Sequence, residues 1–483
     1  MSNFVNACKA IANETYTENG AVAYRSTGGG ALLDFYAKIG GMRNRDANDI
    51  REGWRLARKE NEELADNLIL YARDIRNAGL GERRIGRILL KELVRLNPEK
   101  VKCNFDTLVN VGRYDDLFEL LDTSIGDDVI NFVIAQLMKD IEGVAANAPI
   151  SLLAKWMPSI NTSSKETCAR AHRICKVAGI KPRTYRKTLS KLRSYLNVVE
   201  VDMSANQWGR IDYEAVPSIA ARRYSKAFSN RDAERYGDYM AALEKGEAKV
   251  NASVLYPYDI VENILYHKDK TNHILDAAQW NELPNYVSGE YDVVVMADVS
   301  GSMWGKPMAT SIGLAVYFAQ RNKGAYHGLY MTYSRNPEFL EIKDNWDIHR
   351  CVNETASRGI GYNTDLDKAF ARIYDIAART REVPKALVVI SDGQFDWDCG
   401  REDGESIIGK WNRKLRDIGL PETKVISWNV NGRQDNYMAM TTDNISYCSG
   451  AGVGPFKFLT ELIEKSAYEA MVEILSRPEF SWK

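Results

Sequence analysis

Two runs of apolar, mostly β-branched residues, VVVMA at 293–297 and ALVVI at 386–390, contain no polar position at all. A strand with one wet face alternates apolar and polar residues, whereas a strand without a polar position has to be covered on both sides. Such strands belong to a mostly parallel sheet packed between helices, so these two runs demand an α/β layer arrangement around them. Each run ends abruptly in hard oxygen donors: VVVMA continues as DVSGSMWG, and ALVVI as SDG. In open α/β sheets ligands settle beyond the carboxyl ends of the strands, which puts both polar endings on one functional edge.

Upstream of about residue 285 the pattern is different. In NEELADNLILYARDIRNAGL the apolar positions Leu64, Leu68, Tyr71 and Ile75 fall on one face of a helix that runs to Gly79. RRIGRILLKELVRLNPE, DDVINFVIAQLMKDIEGV and KPRTYRKTLSKLRSYL obey the same amphipathic rule, joined by short connectors bearing Gly, Asn or Pro. Packed helix pairs of the HEAT-like kind, or an α-solenoid, satisfy such a pattern. Downstream, HGLYMTYS, KVISWNV and NISYCS supply further strands. PMATSIGLAVYFAQRN, TDLDKAFARIYDIAART, SIIGKWNRKLRDIG and a last stretch, FKFLTELIEKSAYEAMVEIL, supply helices. The expected organisation is multidomain: an α-helical region over residues 1–285 and an α/β doubly wound domain over residues 286–483.

The chain carries 64 basic and 65 acidic side chains, a net charge of −1, so binding to nucleic acid needs a local patch. No run of about eighteen apolar residues occurs, which predicts no spanning helix and no membrane partner. The start, MSNFVNACKAIANETY, lacks the basic lead and apolar core of a secretory signal, and the 7 cysteines have no zinc-like spacing. A reducing, cytoplasmic setting is expected, in a host cytoplasm or a virion if the chain is phage-encoded. No G-x-S-x-G elbow, H-E-x-x-H pair, Walker A loop or Rossmann fingerprint is present. His172, His267, His273, His327 and His349 have no evident nucleophile or carboxylate partner. Catalysis is not expected. The competing reading, a metal-dependent hydrolase, rests on Asp392, Asp396 and Asp398 sharing one loop, and needs a positioned base for water.

The candidate site is a cation centre. Asp298, Ser300 and Ser302 alternate directly after a buried strand, Thr364 closes the glycine-bearing loop GIGYNTD at a helix start, and Asp392 ends the second buried strand. A polar turn would account for any one of these loops. Together they offer hydroxyl and carboxylate oxygens, ligands suited to Mg²⁺, with Mn²⁺ or Ca²⁺ as alternatives, rather than to zinc or copper. A cation held by few direct anions keeps an open position attractive to an outside carboxylate.

The DVSGS, NTD and SDG loops resemble the metal-ion-dependent adhesion site of von Willebrand factor A domains. The resemblance implies that Ser300, Ser302 and Thr364 approach the metal through their hydroxyls. It also implies that Asp298 and Asp392 act directly or through water, and that a partner protein's Glu or Asp completes the shell. Over nearly the whole chain, ENGAVAYRSTGGGALLDFY, ARDIRNAGLGERR, GRYDDLF, LNVVE and KVNASVLYPYDIV resemble a family known only as a domain of unknown function, found in phages, bacteria, large viruses and plants. That family joins a TROVE-like helical region to a von Willebrand A-like domain and is distantly similar to the Ro autoantigen. The implied role is a Ro-like ribonucleoprotein or scaffold.

Positive charge concentrates in one segment of the helical half. Arg173, Lys176, Lys181, Arg183, Arg186, Lys187, Lys191 and Arg193 lie close together, with Tyr185 and Tyr195 interleaved, as a surface for structured RNA would require. The plainer account is a solvated helix face answered by Asp115, Asp116, Glu119, Asp122, Asp127 and Asp128. Two glycine-rich stretches fit turns better than anion sites: no Lys-Ser/Thr follows STGGGALLD, and AGLGERR resembles a helix-ending glycine before a basic helix start. The expectation is a non-catalytic binding protein. An assembly module within a virion or large complex, without nucleic acid, is the alternative.

Overall fold

The computed structural model describes residues 8, 12–196, 198–266, 273–287, 289–333, 337–343, 345–358, 365–394 and 406–483. A short antiparallel hairpin opens it, β1 (Glu14–Tyr16) and β2 (Val22–Tyr24). The main sheet holds β3 (Val293–Asp298), β4 (Leu329–Tyr333), β5 (Glu338–Glu341), β6 (Ala386–Ser391), β7 (Lys424–Asn429) and β8 (Ile445–Ser449), in the order β5-β4-β3-β6-β7-β8. All neighbours are parallel except β5, which closes one edge antiparallel to β4. β5 is short and charged (EFLE), which hides it from periodicity and suits an edge.

Every residue of β3 and β6 is buried, as their unbroken apolar composition requires. They lie side by side, with Val295 opposite Val388 and Ala297 opposite Ile390. From this central pair the strand order runs outward in opposite directions. The loops that leave β3 and β6 therefore part and open a crevice beyond their carboxyl ends. The helix Lys306–Arg321 follows the β3 loop and is buried along its whole middle, from Ala309 to Ala319. One side faces the sheet. The other faces the helix Pro257–Tyr266, approached so closely that a Cβ on Gly313 would lie 3.1 Å from Pro257 Cβ.

The helical half contains Ala47–Glu60, Glu62–Arg73, Arg83–Leu96, Gly126–Ala145, Lys165–Val177, Pro182–Tyr195, Ser218–Arg231 and Ala233–Glu244. Asp46 and Asn61 cap the first two by accepting from Asn48 N and Leu64 N. Periodicity predicts a one-faced helix from Leu64 to Gly79, and the structure differs twice. The helix stops at Arg73 because the Asp74 carboxylate gathers the amides of Arg76, Asn77 and Gly79. All of Leu64–Arg73 is buried, because the C-terminal helix Ala467–Leu475 and Trp482 close the other face. Asn67 Nδ2 donates to Leu475 O at 3.0 Å and Trp482 Nε1 to Asp66 O at 2.8 Å. The single last helix predicted by periodicity is also broken. Leu459–Glu464 ends, and Ser466 restarts the chain with a capping box to Glu469.

The chain up to about residue 41 packs on the α/β half as well as on the helices. Tyr24 and Tyr437 exchange backbone hydrogen bonds of 2.9 and 2.8 Å, and Gly432 N donates to Gly41 O at 2.9 Å. Gly40 lies so near the loop after β8 that a Cβ would fall 2.5 Å from Gly450 N. One apolar cluster consequently runs from Leu32 through both halves to Phe480. A second, smaller core around Tyr213, Phe228 and Tyr236 belongs to the helices at 218–244. Among the described residues no helix is long and apolar enough to cross a membrane.

Candidate metal centre

Asp298 is the last residue of β3 and is completely buried. Its Oδ1 accepts from Ser300 N at 3.0 Å, and its Oδ2 accepts from Ser391 Oγ at 2.8 Å. Ser300 and Ser302 turn their hydroxyls toward each other, Oγ to Oγ 3.2 Å. Asp392 follows β6 directly. Its Oδ1 accepts from Gln394 N at 3.1 Å, but Oδ2 is buried and has no hydrogen-bond partner among the described residues. Gly305, at φ 89°, turns the chain out of this loop and into the helix Lys306–Arg321 with a backbone that favours glycine. Beside it, Trp304 is 75% exposed on the rim, packed edge-on against Tyr266 at 5.0 Å.

The electrostatics separate this pair from other buried carboxylates in the protein. Asp66 is paired with Arg58 and Lys100, Glu82 with Arg43, Glu92 with Arg55, Asp116 with Arg73 and Arg87, and Asp276 with Arg222. Asp74 and Asp140 lack a cation and are answered instead by several N–H and O–H donors. Among the described residues Asp298 and Asp392 have no ion pair, and Asp392 Oδ2 accepts no hydrogen bond. Burial pushes the Asp298 carboxyl well above its ordinary range, and the neighbouring Asp392 charge pushes it further, against the pull of Ser300 and Ser391. Burial raises Asp392 too, partly offset by Gln394 N, the Arg433 guanidinium and the Ser302 hydroxyl. A buried charge is stable when paired or bound to a metal. Two facing carboxylates, two adjacent hydroxyls and one orphaned oxygen are a donor set that fits a hard divalent cation.

Of the five candidate ligands, Asp298, Ser300, Ser302 and Asp392 come together at the crevice between β3 and β6. Thr364 lies outside the described residues, as do Asp396 and Asp398. No group of three or more His, Cys, Asp or Glu side chains able to hold a metal occurs among the described residues; the oxygens gathered here are two carboxylates and two hydroxyls. Three participants are invisible to motif reasoning. Ser391 stands in the SDG ending, but it is the last residue of β6 and is not among the expected ligands. Gln394 is buried beside Asp392. Arg433, from the loop after β7, donates to Ser302 O at 3.0 Å. Only the ISDG spelling, with a hydroxyl next to the aspartate, gives a local signal for the first.

The basic segment divides in three. Arg193 is a packing residue, donating to Ala154 O, Met157 O and Ser159 Oγ at 2.8, 2.8 and 3.0 Å. That corrects its assignment to a binding surface, because its guanidinium is spent on two carbonyls and a hydroxyl of the fold. Arg173 is answered by Asp122 and Asp127, each at 3.2 Å. Lys176, Lys181, Arg183, Arg186, Lys187 and Lys191 are exposed. The STGGGALLD stretch is a turn before the helix Ala31–Lys38. Its amide at Leu32 donates to the Glu60 carboxylate, so no outside anion is called for.

Residues 164–288 match a family described as a domain of unknown function, DUF2828, and residues 292–474 match a second, DUF7788. The two matches follow one another along the chain, the first in the helical half and the second over most of the α/β half. An uncharacterized protein of Acanthamoeba polyphaga mimivirus is 29% identical over 487 residues, covering 92% of this chain and 83% of its own. Among solved structures, the crystal structure of the Deinococcus radiodurans RO (RSR) protein aligns over 92% of each chain, with 14% identity and a TM-score of 0.36.

Proposed function

We propose that this protein is a non-catalytic binding protein whose α/β half is of the von Willebrand A type. In this reading Asp298, Ser300, Ser302 and Asp392, with Thr364, hold a Mg²⁺-type cation, and the rim takes up a carboxylate from a partner protein. The observation that carries it is Asp392 Oδ2, a buried carboxylate oxygen with no described donor, facing a second buried carboxylate. The doubly wound sheet and its switch point between β3 and β6 support the placement.

Each residue has a stated task. The Ser300 and Ser302 hydroxyls offer neutral oxygens. Ser391 and Ser300 N orient Asp298, and Gln394 N orients Asp392. A bound divalent cation supplies a Lewis-acidic position for an incoming carboxylate oxygen. Arg433 adds positive charge at the rim, and exposed Trp304 offers an apolar contact for whatever carries that carboxylate. A binding role is favoured over hydrolysis because the described histidines sit elsewhere: His172 on an outer helix, His273 stacked on His349, and His327 against Asn322 O. The six exposed cations of residues 176–191 are the proposed surface for structured RNA.

Titration of Mn²⁺ or Mg²⁺ into the full chain tests the centre. Asp298→Ala abolishes binding, and unchanged affinity in that variant overturns the reading. Recovery of RNA and protein co-purified with and without a chelator then identifies the partner and assigns it to one half.

A further inference from the structure

The rim is not built by the α/β half alone. The turn between β1 and β2 docks on the loop that carries Asp392. Glu18 N donates to Gln394 Oε1 at 2.8 Å, and Asn19 Nδ2 donates to Gln394 O at 3.0 Å. Gln394 N in turn holds Asp392 Oδ1. From the other side Gln434 Nε2 donates to Glu18 Oε1 at 3.1 Å, next in sequence to the Arg433 that grips Ser302 O. The hairpin is anchored at its base by the two Tyr24–Tyr437 backbone bonds. Its tip is closed by Ala21 N donating to Thr17 Oγ1 at 3.0 Å and by Gly20 at φ 86°.

This arrangement sets Glu18 beside the loop that carries Asp392. Glu18 is exposed, its Oε2 has no partner among the described residues, and its charge is felt at Asp392, where it adds to the effect of burial. A cation of the same rim is Arg433, which donates to Ser302 O and is itself exposed. Nevertheless the backbone and side-chain bonds of the turn all serve to hold the tip in place. A tip held this firmly beside the Asp392 loop can present the Glu18 carboxylate to the rim.

We propose that Glu18 is a further ligand-bearing residue of the cation centre, offered in cis by the N-terminal hairpin to the position a partner's carboxylate would otherwise occupy. The inference rests on the cation reading above and deepens it. The resting site is closed by the chain's own carboxylate, and a partner engages by displacing the Glu18 side chain, with or without lifting the hairpin tip. Specificity then lies in competition: a partner has to offer more than one exposed carboxylate to win. The apolar face of Trp304 and the Arg433 guanidinium are the contacts available to supply that excess.

The experiment uses Mn²⁺ alone on the full chain, comparing the unaltered protein, Glu18→Gln and Asp298→Ala. Glu18→Gln is nearly isosteric and leaves the backbone bond to Gln394 intact, so folding is preserved. The expected result is a loss of about tenfold in Mn²⁺ affinity in Glu18→Gln. Water-proton relaxivity per bound ion rises at the same time, because water replaces the carboxylate. Hydrogen exchange at amides 14–24 slows on adding Mn²⁺ in the unaltered protein and not in Glu18→Gln. Equal affinity and equal relaxivity in these two proteins, with Asp298→Ala unable to bind, overturns the role of Glu18 and leaves the centre standing. Full Mn²⁺ affinity in Asp298→Ala overturns both.

Discussion

Ser391 Oγ donates a 2.8 Å hydrogen bond to Asp298 Oδ2 across the central strand pair, and the same oxygen accepts from Gly393 N at 3.0 Å. One hydroxyl thus orients the carboxylate that ends β3 and shapes the loop that carries the carboxylate after β6. Coupling the two loops through a strand residue keeps their spacing independent of solvent. Rigid elements set a site's geometry better than loops do.

Replacing that hydroxyl tests the coupling. Ser391→Ala leaves Asp298 Oδ2 buried without its donor and is expected to cost about 1–3 kcal/mol in chemical denaturation. Mn²⁺ affinity falls about tenfold in parallel, the usual effect of removing a group that orients a ligand. A stability loss with unchanged Mn²⁺ affinity separates Ser391 from the centre.

Asp392→Asn is expected to move stability and binding in opposite directions. In a chelator the neutral side chain removes one of two facing buried charges, and thermal stability rises by the equivalent of about 1 kcal/mol. The upward shift that Mg²⁺ produces in the melting temperature disappears. Melting curves with and without Mg²⁺ decide it; an Asp392→Asn protein that melts lower in chelator contradicts the electrostatic account.

In the helical half, Glu119 joins three elements by accepting from Arg170 at 3.0 Å and Lys91 at 2.9 Å, with Arg87 at 3.5 Å. Burial pushes its carboxyl up, but these donors and their charge outweigh burial and hold it down to about 2. A carboxyl depressed in the folded state contributes stability that is fully present above its unfolded value of 4.5 and is lost as pH falls toward about 2. Glu119→Gln is therefore expected to be less stable at neutral pH by about 1–2 kcal/mol. The deficit should shrink below pH about 4, measured by urea unfolding across that range. A deficit independent of pH would place the effect in packing rather than charge.

The basic segment yields a paired expectation. Arg193→Met removes donors to three oxygens and is expected to cost about 2–3 kcal/mol of stability. Arg186→Glu together with Lys187→Glu, both exposed, leaves stability within about 0.5 kcal/mol. That double change weakens binding to structured RNA and lowers the slope of log affinity against log salt by about 2. An unaltered slope removes the surface from the functional account.

The two central strands and the edge on which their aspartates fall are local properties, legible in composition, chain direction and spacing. What local pattern does not contain is which distant atoms meet. The helix Glu62–Arg73 has the periodicity of a half-exposed element and becomes buried all round only because a helix some four hundred residues later lies against it. Arg193 is one more cation in a basic string until Ala154, Met157 and Ser159 turn their oxygens toward it. Glu18 reads as part of a helical half, and lies at the rim because its backbone finds Gln394, 376 positions away. Sequence by itself determined the kind of sheet, the oxygen-bearing side chains at its strand ends and the edge that carries them, because periodicity and side-chain chemistry are written residue by residue. Tertiary structure alone decided which charges are answered and which are left facing one another, because pairing depends on chain closure, and no window of neighbouring residues records it.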